Sequence, residues 1–319
     1  MTDLSVFFAG TAGSVPTARR GLPAIVVRHG GHRLLFDCGE GTQRQLLRSI
    51  GLTDLDAVFL THHHVDHWLG LLGMVKSFAL RDREAPLTVY GPPGTRDLLA
   101  AMAIVIGRLP YPFSVVDLEA GDEVEFADFA VHALNVRHRG RAFGYALVEE
   151  DRPGRFDADR ARALGIPFGP AFGRLQRGET VDGVSPEQVV GPPRPGRRVV
   201  LSGDTAPCEM LRVAADGADL LVHEATFLTE DAARARETLH STARQAAEVA
   251  AEADVGLLAL THLSSRYPVR EVLAEARETF AHTEAPRDFD AIEVPLPEKG
   301  DPELVRWDPP ARAPAEAAP

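Results

Sequence analysis

The residues most able to do chemistry follow a short apolar run, Asp56 to Leu60, and read Thr61-His62-His63-His64-Val65-Asp66-His67. Four potential metal ligands fall within a single turn at the end of an expected strand. Residues two apart on an extended chain point the same way, so His62 and His64 can grip one ion. Asp66 and His67 then project from the next bend toward a second. Imidazole together with carboxylate suits Zn²⁺ and related divalent ions such as Mn²⁺. A lone histidine would be an ordinary core or surface residue, but an HxHxDH run is a metal-binding pattern.

Each ion needs more donors, and three further candidates stand where apolar runs end: His138 in NVRHRG, Asp204 in VVLSGDT and His262 in LLALTHLSS. Loops of this kind are where functional residues are commonly carried. With the first four they supply seven donors for two ions. A carboxylate such as Asp204 can bridge two cations, because both of its oxygens can bind.

The elements that must position these groups are short β-branched and aromatic runs bounded by Gly, Pro or Asp: 5–8, 24–28, 33–36, 57–60, 87–90 and 124–133, then 142–148, 198–201, 220–222 and 256–260. Helical periodicity is clearest over 95–106, 241–251 and 269–280, with Ser241 the expected N-cap of the second. Strand pairs followed by strand–helix units, twice over, predict an α/β chain of two mixed sheets packed face to face with helices outside. Residues 151–198 break that rhythm with many Pro and Gly, as in GIPFGPAFG and GPPRPGRR, and read as a long functional or disordered loop. The low-complexity tail 308–319 is expected to be disordered. Residues 1–307 would thus form one domain carrying 151–198 as an insertion.

Composition narrows the field. The chain has 319 residues, 45% hydrophobic and 25% charged, which is ordinary for a soluble enzyme. No stretch reaches the ~18 apolar residues of a membrane span, and MTDLSVFFAG lacks the basic start of an export signal. Two cysteines, Cys38 and Cys208, form no disulfide framework, so a reducing, cytoplasmic setting is expected. A net charge of -12 argues against a nucleic-acid partner. The distribution answers it: residues 151–198 hold nine arginines against six carboxylates.

THHHVDH, His138, GDT at Asp204 and TH at His262, in that order, resemble the metallo-β-lactamase superfamily. FAGTAG, FDCGEGTQRQLL, LTVYGPPG, HRGRAFGY, VHEATF, HSTARQAAEVA and THLSSRY narrow the resemblance to the ribonuclease Z family, from Leu4 to about Pro295. The resemblance implies an αβ/βα sandwich with two zinc ions per subunit. His62, His64 and His138 would hold one ion, Asp66, His67 and His262 the other, and Asp204 would bridge them. It also implies an endoribonuclease that removes the 3′ trailer of precursor tRNA. Asp66 would accept a proton, and His240 would donate one to the leaving oxygen with Glu224 orienting it. His63 and His223 would be bystanders.

In the same resemblance, LGIPFGPAFGRLQRGETV matches the hand of a protruding arm, the exosite, that grips tRNA. That points to Gly169, Pro170, Arg174 and Arg177 as substrate contacts, and Arg266 would meet a product phosphate. The family works as a homodimer on RNA, with no membrane and no DNA in its chemistry. One departure is Pro16-Thr17-Ala18-Arg19-Arg20-Gly21, where many members carry P-x-K-x-R-N, a loop that affects discrimination against a mature CCA end. Rival readings are a thioesterase resembling hydroxyacylglutathione hydrolases, which lack the arm and the HEATF/HST pair, a small-molecule phosphodiesterase or arylsulfatase relative, against which the arm also speaks, and a non-catalytic RNA-binding scaffold, which would have lost metal ligands.

Overall fold

A computed structural model describes residues 4–52 and 54–308. Apart from Asp308, the expected disordered tail lies outside the described residues. The strands are β1 (Leu4–Gly10), β2 (Ala24–His29), β3 (His32–Phe36), β4 (Ala57–Phe59), β5 (Leu87–Gly91), β6 (Phe113–Asp117), β7 (Glu123–Glu125), β8 (Phe129–Asn135), β9 (Phe143–Glu149), β10 (Arg198–Leu201), β11 (Leu220–Glu224), β12 (Leu257–Thr261), β13 (Thr283–Glu284), β14 (Ala291–Glu293) and β15 (Glu303–Val305). They form an eight-stranded sheet in the order β15-β14-β1-β2-β3-β4-β5-β6 and a seven-stranded sheet in the order β13-β12-β11-β10-β9-β8-β7. The first is antiparallel from β15 to β3 and parallel from β3 to β6. The second is parallel from β10 to β13. This is the expected α/β sandwich of two mixed sheets.

Side chains of alternate residues build its layers. On one face of the first sheet Leu35, Val58, Leu60 and Val89 pack with Leu71, Met74, Val75 and Phe78 of the helix Gly70–Leu80. On the other face Phe36 and Phe59 lie 5.5 and 5.4 Å from the ring of Tyr145 on β9. Tyr145 is fully buried, and its hydroxyl donates to the Leu60 carbonyl at 2.7 Å, so the residue just before the THHHVDH turn is pinned between the sheets. The helix Ala243–Glu252 covers β11 and β12 from outside.

Several local expectations change. The N-cap of that helix is Thr242, in a capping box with Gln245, because the Ser241 hydroxyl is spent on the Thr205 carbonyl at 2.7 Å. The pattern over 95–106 divides at Met102 into Thr95–Ala101 and Ala103–Ile106. Residues 124–133 hold parts of two strands, β7 and β8.

The described residues divide into two compact units, one of those up to 124, 131–147 and from 198 onward, the other of 125–130 and 148–197. Of the two readings of 151–198, a functional or a disordered loop, the second unit excludes disorder over its described residues. It contains the helices Ala158–Ala163 and Pro170–Gln176. Ala161, Ile166, Phe172, Leu175, Val181, Val184 and Val189 close a small core of their own. A buried ion pair of Arg197 with Glu149 lies in the same unit. The high Gly and Pro content had hidden a spacing of apolar residues too sparse to read as periodic.

Candidate metal centre

After β4 the chain stays extended to His64, the N-cap of the short helix Val65–Trp68. The extended stretch brings the rings of His62 and His64 to 4.5 Å. The turn that follows reverses the chain, and Asp66 and His67 leave on its first residues. From the second sheet, His138 follows β8, Asp204 follows β10 and His262 follows β12 directly. The structure therefore brings together all seven predicted donors, in one set of His62, His64, His138 and Asp204 and one of Asp66, His67 and His262.

Their atoms converge. His138 Nε2 is 3.3 Å from His64 Nδ1. Asp204 Oδ2 is 3.3 Å from both His67 Nε2 and His262 Nε2, 3.8 Å from His62 Nε2 and 4.0 Å from His138 Nε2. Asp66 Oδ2 is 3.7 Å from His67 Nε2 and from His262 Nε2. Donors about 2.0–2.2 Å from one tetrahedral ion stand roughly 3.3–3.6 Å apart, close to this spacing. Asp204 Oδ2 lies between the two sets, where a bridging atom belongs.

The second layer fixes which nitrogen points inward. His67 Nδ1–H donates to Asp37 Oδ2 at 2.7 Å and His138 Nδ1–H to the Leu239 carbonyl at 2.9 Å. Thr61 Oγ1 donates to Asp37 at 2.9 Å and so accepts from His62 Nδ1 at 3.0 Å. Likewise Thr226 Oγ1 donates to Glu224 at 2.5 Å and accepts from His262 Nδ1 at 2.8 Å. The Nε2 atoms of His62, His67 and His262 are left buried, facing in and with no hydrogen bond. Buried polar atoms are rarely left so, and this arrangement is how proteins prepare imidazole for a metal.

Electrostatics agree. Burial opposes ionisation of Asp204, yet His262 and His67 outweigh it and hold the carboxyl well below its usual range. Burial likewise opposes charge on His67, and Asp204 and Asp37 overcome it, pulling the imidazole well above its usual value. The pocket is built to receive positive charge, which divalent cations would supply. The donor set fits such ions.

Beside the donors, Glu224 is fully buried and accepts from the Thr205 amide at 2.8 Å and from His240 Nδ1–H at 2.7 Å. The predicted pair of Glu224 and His240 is thus assembled against the centre. His63 turns away to Thr95 Oγ1 at 2.8 Å, and His223 is spent on the Glu224 carbonyl at 2.8 Å. Arg266 is exposed four residues past His262, with no ion pair among the described residues.

In the second unit, Gly169 has φ +153° and ψ -157°, a region that glycine alone adopts readily, and Pro170 opens the helix behind it. Arg174 and Arg177 are exposed but share Glu179, at 2.8 and 3.6 Å, which offsets part of their positive charge.

Sequence reasoning missed Asp37 and Thr226, which orient His67 and His262. It also missed that Ser14, Asp37, Leu239 and His262, all at this centre, have positive φ without being glycine. Such strain gathers where function demands it.

A model described as the β-lactamase superfamily domain matches residues 32–166 and 187–263 and skips 167–186. Ribonuclease Z of Myxococcus xanthus is 49% identical over 306 residues, covering 93% of this chain and 99% of that protein. Ribonuclease Z of Methanosarcina acetivorans is 42% identical over 300 residues, covering 92% and 98%. The crystal structure of the short form of human tRNase Z superposes with a TM-score of 0.67 at 26% identity, covering 92% of this chain and all of that one.

Proposed function

The chain belongs to the ribonuclease Z family of metal-dependent hydrolases with the metallo-β-lactamase fold, and from that premise we propose that it is a zinc-dependent endoribonuclease removing the 3′ trailer of precursor tRNA. Cleavage leaves a 3′-hydroxyl on the tRNA and a 5′-phosphate on the trailer. The observation that carries this reading is the placement of His240, held by Glu224, beside a seven-donor centre. A phosphodiester needs both a place for charge on its phosphate and a proton for its leaving oxygen.

Two zinc ions, when bound, supply Lewis acidity toward water and the phosphate oxygens. His62, His64 and His138 would hold one, Asp66, His67 and His262 the other, with Asp204 shared. Asp66 accepts the proton of the attacking water. His240 delivers a proton to the leaving oxygen from Nε2, because Nδ1–H is committed to Glu224. Glu224 stays anionic beside it, since His240 overcomes the penalty that burial sets against the carboxylate's charge.

Substrate selection falls to the second unit and its Gly169-Pro170 turn, with Arg174 on the following helix, Arg177 at its C-cap and Arg266 at the catalytic unit. The superfamily model passes over 167–186, which supports a role particular to this family. The enzyme acts as a cytoplasmic homodimer.

The test is cleavage of precursor tRNAs with and without encoded CCA by the wild type, His240→Ala and a chain lacking 151–197. The proposal requires the last to keep hydrolysing a small phosphodiester while failing on precursor tRNA. Unchanged tRNA affinity after the deletion would overturn it.

A further inference from the structure

The loop between β1 and β2 touches the metal centre twice. The Ser14 amide donates to Asp66 Oδ2 at 3.0 Å. Gly13 lies so close to His262 that a Cβ there would come within 2.6 Å of Nδ1. Ser14 is itself held at φ +61°, a conformation that a non-glycine residue keeps only where its surroundings enforce it.

Part of the enforcement is local, the Gly13 amide donating to the Leu263 carbonyl at 3.2 Å and the Leu263 amide to the Thr11 carbonyl at 3.0 Å, and the ends of the loop are tied by Asp288, between β13 and β14 and remote in sequence. Its Oδ1 accepts from Thr11 Oγ1 at 2.6 Å. Its Oδ2 accepts from the Gly21 amide and from Gln45 Nε2, each at 2.6 Å. Arg20 completes the knot by donating to the Thr11 hydroxyl and, at 3.0 Å, to the Pro286 carbonyl. One carboxylate thus clamps both ends of the loop, Thr11 and Gly21, and ties them to the helix Thr42–Arg48. Few replacements can serve. An asparagine loses the charge and can keep the Gly21 and Gln45 bonds only by making the Thr11 hydroxyl reverse from donor to acceptor, and an alanine would leave all three donors without their acceptor.

We propose that Asp288 is a positioning residue for the metal centre: by clamping the 11–21 loop it holds the Ser14 amide on Asp66 and so sets how tightly Asp66, His67 and His262 bind their ion. This rests on the metal-centre reading above. Asp288 reaches the ligands only through the loop, and no loop residue hydrogen-bonds to His62, His64 or His138 among the described residues. Its influence is therefore confined to one of the two ions.

The full chain, stripped of metal, would be titrated with Co²⁺ by calorimetry and visible absorption, as wild type, Asp288→Asn, Asp288→Ala and Thr11→Val. Wild type is expected to take up two ions. The variants should bind one with wild-type affinity and the other about tenfold more weakly or worse, the usual effect of losing an outer-layer partner. Equal weakening at both ions would overturn the inference, because a general loosening of the fold gives that result. Wild-type affinity at both ions would overturn it too. If the Asp288 variants do not fold, Thr11→Val decides on the same two criteria. Fewer than two ions on the wild type would sink the metal-centre reading, and this inference with it.

Discussion

His240 Nδ1 stands 2.7 Å from Glu224 Oε1, and its ring lies 4.8 Å from that of His138 and 5.3 Å from that of His262. The imidazole is thereby held against both halves of the candidate metal centre by a carboxylate that no solvent reaches. His240→Ala should lower kcat on precursor tRNA by about 10²–10⁴-fold. A p-nitrophenyl phosphodiester, whose leaving group needs no proton, should lose far less. Equal losses on the two substrates would remove His240 from the proton-donating role.

The pH profile of the same step follows from the pair. Burial opposes protonation of His240, but the charge and hydrogen bond of Glu224 prevail and lift the imidazole to about 9. An acid is competent below its pKa, so tRNA cleavage should fall as pH rises through that region. Glu224→Gln removes the lifting charge, and the alkaline limb should move to lower pH. A limb that stays in place, measured as kcat at saturating substrate, would assign it to another group.

Metal removal should cost both activity and stability, because ions that bind only the folded chain stabilise it by mass action. Chelation should lower Tm and abolish cleavage, and adding Zn²⁺ or Mn²⁺ back should restore both. Asp66→Ala should retain precursor tRNA binding while losing turnover. A chelated protein with unchanged Tm would contradict the convergence of buried Nε2 atoms on cations.

Asp37 holds His67 through one carboxylate oxygen and Thr61 through both. Asp37→Ala should weaken metal affinity about 10–100-fold, read by competition with a chromogenic chelator. Excess zinc should recover part of the activity, which distinguishes a misoriented ligand from a broken fold.

In the second unit, Glu179 engages both Arg174 and Arg177. Glu179→Ala should free two phosphate-seeking groups and tighten precursor tRNA binding, with a steeper salt dependence. Arg174→Ala and Arg177→Ala should each reduce the salt slope by about 1. Phe168 is 82% exposed immediately before Gly169, and Phe168→Ala should raise KM for tRNA without changing turnover of a small phosphodiester, since an exposed ring stacks on an unpaired base.

How much of this was legible in the sequence depends on whether a residue type carries its role openly. THHHVDH, His138, Asp204 and His262 were readable because histidines and aspartates at strand ends are chemically conspicuous, and the structure draws all seven together. Asp37 and Thr226 were not, since an aspartate or threonine that orients a ligand looks like any other until the fold supplies its partner. Ser241 and Thr242 are adjacent and equally good caps by composition, and only the Thr205 carbonyl decides between them. The small core around Ile166 and Phe172 escaped notice because Gly and Pro interrupt its spacing.

The seven donors run from His62 to His262, drawn from loops of both sheets. During synthesis His62 and His64 emerge early, but neither donor set is complete until the chain has passed Asp204, and the second waits for His262. Occupation of both donor sets would therefore come late in the life of the nascent chain. A ribosome-released fragment ending before residue 262 would carry at most one complete set, so a two-ion stoichiometry requires a chain that extends at least through His262.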